Sequence, residues 1–279
     1  MRVCARGSAK KKQKFCIMNV SCEKSSIFAP MKQGMIFAAG LGTRLKPLTD
    51  SMPKALVPVG GKPLLWHVIG KLKAAGFERI VINVHHFADQ IIDYVAENNN
   101  FGIDIRISDE REQLLETGGG IRKALPLLDE KSPVLIHNVD ILSNADLDRV
   151  LEADGEAALL VSSRQTKRYL IFDDAMHMRG WTNIETGEVR PEAMKGFLLQ
   201  DSELNVHCSM LAFSGIHVLR PSLYPLLREM PERFGIMDFY LKYCQEHVLR
   251  GCLQENLQLI DVGKLDTLEK AEEFLTVSK

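Results

Sequence analysis

Residues 34–59 read GMIFAAGLGTRLKPLTDSMPKALVPV. The stretch opens with a short apolar run that stops at Gly40, as a buried parallel strand does when it reaches a turn. Gly40 and Gly42 then free the backbone for a tight turn and for close approach to a ligand, and exposed N–H groups of such a turn can point at phosphate oxygens. Two common nucleotide motifs fail here. In GLGTRL the third glycine of the dinucleotide fingerprint is replaced by Leu45, and Walker A needs Gly-Lys followed by Ser or Thr, whereas Lys62 is followed by Pro63. Taken alone, the glycines leave a phosphate loop and a plain turn equally open.

Working outward, strand-like and helix-like segments alternate. KPLLWHVIGKLKAAG (62–76) carries Leu64, Leu65, Val68, Ile69 and Leu72 at helical spacing and stops at Gly76. RIVINV (79–84) reads as a strand, FADQIIDYVAENN (87–99) as a helix, FGIDIRIS (101–108) as a strand, and GGGIRKALPLL (118–128) as a helix that starts after three glycines. SPVLIHNVD (132–140) is again a buried strand. This rhythm predicts an α/β fold, a Rossmann-like, mainly parallel sheet with helices on both faces. Ligands of such sheets sit at the carboxyl ends of the strands, so Gly40, Asn83, Ser108 and Asp140 are expected on one rim. Later segments are less regular: GEAALLVSSR and YLIFDD read as strands, 173–208 as a strand-and-loop insertion, MLAFSGIHVLR as a strand, DFYLKYCQEHVLRG as a helix, LQLIDVG as a last strand and LDTLEKAEEFLTV as a closing helix.

Bulk properties narrow the function classes. The chain has 279 residues, 46% of them apolar and 25% charged, with a net charge of −1. No overall field points to nucleic acid or an anionic membrane, and no run approaches the roughly 18 apolar residues of a membrane span. Six cysteines form no CxxC pair, which speaks against a zinc site and for a cytoplasmic protein with reduced thiols. Residues 1–30 are basic up to Lys14 and lack a secretory apolar region. They read as a disordered extension before a single domain at 31–279, with Met31 as an alternative start.

The full set Gly40, Gly42, Thr43, Arg44, Pro47, Thr49, Pro53, Lys54, Pro58, Lys62 and Pro63 closely resembles the signature of the sugar-1-phosphate nucleotidyltransferases, and the resemblance extends over nearly the whole chain from Met31. It implies the nucleotide-diphospho-sugar transferase fold, nucleoside triphosphate and sugar 1-phosphate as substrates, Mg²⁺ as cofactor, and a monomer or small homo-oligomer. Uridylyl transfer is the first expectation. Guanylyl transfer to mannose or heptose 1-phosphate, cytidylyl transfer to phosphocholine-like substrates, and a non-catalytic nucleotide-sugar-binding protein are the alternatives. Carried over residue by residue, Arg44 and Lys54 are the catalytic cations, and Asp140 and Asp261, each ending an apolar run, the metal ligands. Ala39, Gly40, Gly42 and Thr43 belong to the triphosphate side, Glu116, Thr117, Gly118 and Gly119 to the base side. Asn83, Asn138 and Asn183 are further binding candidates, Trp181 a stacking surface, and Lys195 the counterpart of a second lysine for the sugar phosphate. Val139 departs from the family, which has glycine before this aspartate; its side chain is expected to crowd the substrate. His85 and His86 lack a carboxylate or cysteine at ligand spacing and read as packing or a rim hydrogen bond.

Overall fold

The computed structural model describes residues 31–195 and 208–277, so the extension expected at 1–30 lies outside the described residues. The first strand, β1 (Gln33–Phe37), lies at the centre of the parallel part of the sheet. It is flanked in register by β4 (Arg79–Val84) and β6 (Val134–Asn138), and β5 (Asp104–Asp109) lies beyond β4. All four strands run parallel, in the order β5-β4-β1-β6. Two short strands, β2 (Pro58–Val59) and β3 (Lys62–Pro63), form a separate hairpin before α1 (Leu64–Ala74).

Alternate residues of β1 enter different cores. Ile36 packs with apolar residues of α1, α2 (Ala88–Glu97), α4 (Leu147–Glu152) and α7 (Leu268–Val277), whereas Met35 packs with those of α3 (Glu116–Ala124), α5 (Tyr224–Glu229) and α6 (Ile236–Tyr243). A strand covered on both faces has to be apolar throughout, which explains GMIF. The five apolar residues that placed α1 in the sequence are all buried, each stabilising by roughly 1.5–3 kcal/mol.

Past β6 the sheet becomes mixed. The long β12 (Ser209–Leu219) runs antiparallel to β6 and bends at Gly215, where φ is +73° and the register slips between Phe213 and His217. Ser209–Leu211 of β12 pair with β9 (Arg168–Phe172), from which β10 (Met178–Asn183) and β11 (Glu188–Arg190) extend the sheet; β8 (Ala157–Ser162) pairs with β12 on both sides of the bulge and pairs parallel with β13 (Leu249–Leu253). The two halves of the chain thus share one ten-stranded sheet.

Several expectations are corrected. The helix placed after the three glycines contains them: α3 begins at Glu116 and buries Gly118, Gly119 and Gly120. The helix expected over 238–251 ends at Tyr243, and Leu249–Leu253 is a strand. Its amphipathic spacing ran on past the true end because a buried strand is also apolar. Ser108 does sit at the end of β5, but its side chain is buried and does not reach the cavity on the rim.

Candidate active site

The carboxyl ends of β1, β4 and β6 open into a cavity of about 590 Å³. One wall is the loop from Ala38 to Arg44. Gly42 sits there at φ +64°, and its carbonyl accepts hydrogen bonds from Leu45 N and Thr49 Oγ1, both at 2.9 Å. Three short 3₁₀ turns, Thr43–Leu45, Leu48–Asp50 and Lys54–Leu56, carry the chain back to the core, with Leu45, Ala55 and Val57 fully buried as anchors. The anchors set the direction of Lys54: only 9% exposed, it places its ammonium on the Asp140 carboxylate.

Asp140 and Asp261 are far apart in sequence and are joined by a two-stranded ribbon. In it β7 (Ile141–Ser143) pairs antiparallel with β14 (Leu259–Asp261), with Asp261 opposite Ile141 and Val262 N donating to Asp140 O at 2.8 Å. Burial by surrounding protein raises the Asp261 pKa even though the residue keeps an open face, and the negative charge of Asp140 adds to the rise. Lys54, Arg44 and Arg164 act in the opposite sense. Arg44 lies against Gly263, where a Cβ would stand 3.0 Å from its guanidinium and 2.8 Å from Asp261 Oδ1. Two carboxylates brought together beside a lysine and an arginine fit a hard divalent ion, which takes one or two carboxylates and completes its shell with phosphate oxygens and water. Among the described residues no cluster of three or more His, Cys, Asp or Glu offers an alternative metal site.

The expected residues divide. Ala39, Gly40, Gly42, Thr43, Arg44, Lys54, Asn83, Glu116, Thr117, Asn138 and Asp140 all border the cavity. Gly118 and Gly119 do not: their N–H groups donate to Phe234 O (2.9 and 3.1 Å), and a Cβ would stand 2.2 Å from the Phe234 ring or 2.3 Å from Glu232 O respectively. They are glycines because another loop packs on them. Asn183 and Lys195 are also absent from the cavity wall; Asn183 Oδ1 accepts from Glu185 N within a turn, and Lys195 is exposed and paired with Glu192. The Trp181 ring carries the Arg190 guanidinium, 5.5 Å from its centroid. Val139 is 4% exposed, packs in the core and also borders the cavity, at the place where the family has glycine. His85 makes a hydrogen bond of 2.7 Å from Nδ1 to Glu110 O, the expected rim contact.

Two residues escaped the sequence reading. Glu110 borders the cavity with no exposed surface, and its pKa is raised by burial; its only signal was an acidic residue one position beyond a strand end. Arg164 donates from Nη2 to Phe213 O at 2.9 Å beside the β12 bulge, and nothing local in the sequence ties it to Asp261.

A family model described as nucleotidyl transferase matches residues 33–168. The N-acetylmuramate alpha-1-phosphate uridylyltransferase of Caulobacter vibrioides is 39% identical over 202 residues, which is 69% of this chain and 76% of that protein. The chain belongs to the nucleotidyl transferase family. Its enzyme class is that of the sugar-1-phosphate nucleotidyltransferases, whose members generally use a divalent metal. The Neisseria meningitidis protein of the same description is 36% identical over 194 residues, covering 69% of this chain and 77% of the relative. A mannose-1-phosphate guanyltransferase of Yarrowia lipolytica is 28% identical over 206 residues, 71% of this chain and 52% of that one. In fold, HddC from Yersinia pseudotuberculosis complexed with GMP-PN superposes with a TM-score of 0.69 at 23% identity, covering 88% of this chain and all of that one.

Proposed function

We propose that this nucleotidyl transferase moves a uridylyl group from UTP to a sugar 1-phosphate, with N-acetylmuramate 1-phosphate the first candidate, and releases pyrophosphate. The observation that carries the reading is the meeting of the glycine loop, Lys54 and Asp140 at the cavity, with Asp261, itself outside the cavity wall, held beside Asp140 by the pairing of β7 and β14. An oxygen of the sugar phosphate attacks the α-phosphorus; that O–P bond forms as the bond to the departing pyrophosphate breaks. The attacking group is already an anion, so the site has to position reactants and neutralise clustered negative charge rather than remove a proton. Arg44 and the N–H groups from Ala39 to Thr43 would hold the β- and γ-phosphates. Lys54 would stand at the α-phosphate, within reach of both reacting phosphates. Asp140 and Asp261 would hold Mg²⁺, which when bound neutralises phosphate charge and aligns the oxygens. The chain carries out this reaction as one domain, in the cytoplasm; among the described residues no helix is long and apolar enough to cross a membrane.

Guanylyl transfer is the second reading, favoured by the guanyltransferase relatives. The test is a matrix of four nucleoside triphosphates against several sugar 1-phosphates, read by pyrophosphate release. UTP with N-acetylmuramate 1-phosphate is expected to react fastest; a faster GTP pair would move the assignment to guanylyl transfer. Lys54→Ala and Asp261→Asn should each lower kcat by on the order of 10²–10³ without loss of fold. Wild-type turnover in either variant would refute the roles given to these side chains.

A further inference from the structure

Glu110 is a carboxylate with no exposed surface in a region where an apolar residue would pack without a desolvation penalty. Its backbone is fixed on both sides: its N–H donates to Val84 O at 2.7 Å, and its carbonyl accepts from Gln113 N at 3.1 Å and from His85 Nδ1 at 2.7 Å. The carboxylate therefore has a set direction, and its two oxygens have different partners. Oε1 accepts from Asn83 Nδ2 at 2.8 Å, and Oε2 accepts from Leu115 N at 3.3 Å. Asn83 passes the constraint on, because its Oδ1 accepts from Ala38 N at 2.8 Å. Ala38 begins the glycine loop, and Leu115 immediately precedes Glu116 and Thr117 on the opposite wall. Gly120 leaves room for this junction: a Cβ there would stand 2.9 Å from Glu110 Oε1 and 3.1 Å from Asn83 Nδ2.

We propose that Glu110 is the positioning residue of the nucleotide half of the site, holding the glycine loop through Asn83 and Ala38 and the entry to α3 through Leu115. The inference rests on the reading of this cavity as a nucleoside triphosphate site. Glu110 touches no substrate, and acts by keeping two separate walls in one relation, so that the phosphates and the rest of the nucleotide meet donors already in place. Buried polar groups linked in series in this way lose more than one contact when a member changes.

The hydrogen-bond pattern supplies its own test. In Glu110→Gln the volume stays, but the new NH₂ group faces another donor, either Asn83 Nδ2 or Leu115 N, and one link is lost. In Asn83→Asp two carboxylates face each other. The double variant N83D/E110Q restores every bond with the polarity of the central one reversed. Its glutamine NH₂ donates to one aspartate oxygen and its glutamine carbonyl accepts from Leu115 N, while the other aspartate oxygen accepts from Ala38 N. Steady-state kinetics with UTP and Mg²⁺, thermal melts, and amide exchange of the Ala38 and Leu115 peptides are measured for all four proteins. Each single variant is expected to raise the KM for the triphosphate by about tenfold or more, to move the KM for the sugar phosphate less than about twofold, and to speed exchange at Ala38; the double variant should return within about threefold of wild type. Wild-type triphosphate KM in Glu110→Gln, equal effects on both substrates, or a double variant no better than the singles would overturn the proposal. A wild-type protein that releases no pyrophosphate from any triphosphate would instead sink the functional reading, and this proposal with it.

Discussion

Gly40 and Gly42 stand two residues apart and are glycines for different reasons. Gly42 has φ +64°, and a Cβ there would come within 2.9 Å of Thr49 Cγ2, so its identity is demanded by the fold. Gly40 has no left-handed backbone, and nothing in the protein lies within 4 Å of where its Cβ would be. It borders the cavity, where the triphosphate of the proposed reaction would supply the demand. Gly42→Ala is therefore expected to destabilise by about 1 kcal/mol or more. Gly40→Ala should leave the melting temperature unchanged while lowering kcat/KM for the triphosphate by about tenfold or more. A Gly40→Ala enzyme with wild-type kinetics would show that no phosphate approaches that backbone. Arg44 and Lys54 could be named because they match the family's signature, and Asp140 and Asp261 because each also ends an apolar run. Glu110 and Arg164 could not, because their importance comes from neighbours distant in sequence.

At the scale of elements, α3 shows how one glycine run serves two purposes. Glu116 and Thr117 at its start reach the cavity, and Thr117 Oγ1 accepts from Ile236 N at 2.9 Å, tying α3 to α6. Gly118 and Gly119 face the other way and admit the loop at Glu232–Phe234. Gly119→Ala would drive a methyl group into the Glu232 carbonyl, which is backbone and cannot swing aside. The expected result is a loss of about 1–3 kcal/mol in chemical denaturation, with the triphosphate KM altered only through the position of Glu116. Unchanged stability would mean that the 232–234 loop yields freely. The run looked like a ligand loop in sequence because glycine spacing does not distinguish room for a ligand from room for a neighbouring backbone.

For the whole molecule, the sheet joins the two cores, and two histidines are buried in it. His137 and His217 are 0% and 1% exposed, and burial pushes their pKa values down to about 4 and about 3. His217 Nδ1 pairs with Tyr240 OH at 2.5 Å. Both rings are neutral in the folded protein and protonate near pH 6.5 when it unfolds. Their stabilising contribution is complete above that pH and is lost as pH falls toward the folded values. By pH 5 each is expected to have removed about 2 kcal/mol of stability. His217→Gln should flatten the fall in unfolding free energy between about pH 7.5 and pH 5 by about that amount; equal slopes in the two proteins would contradict it. The sequence alone determined the alternation of strand and helix, the glycine loop from Gly40 to Lys54 that borders the cavity and the two strand-end aspartates, because short-range periodicity and a tightly spaced signature are local properties. Only the tertiary structure decided that β7 and β14 pair to bring Asp261 beside Asp140, that Gly118 and Gly119 serve packing, that Asn183 and Lys195 stand outside the cavity, and that Glu110 holds two walls together. Those facts depend on contacts between residues far apart along the chain, and such contacts leave no spacing in the sequence to read.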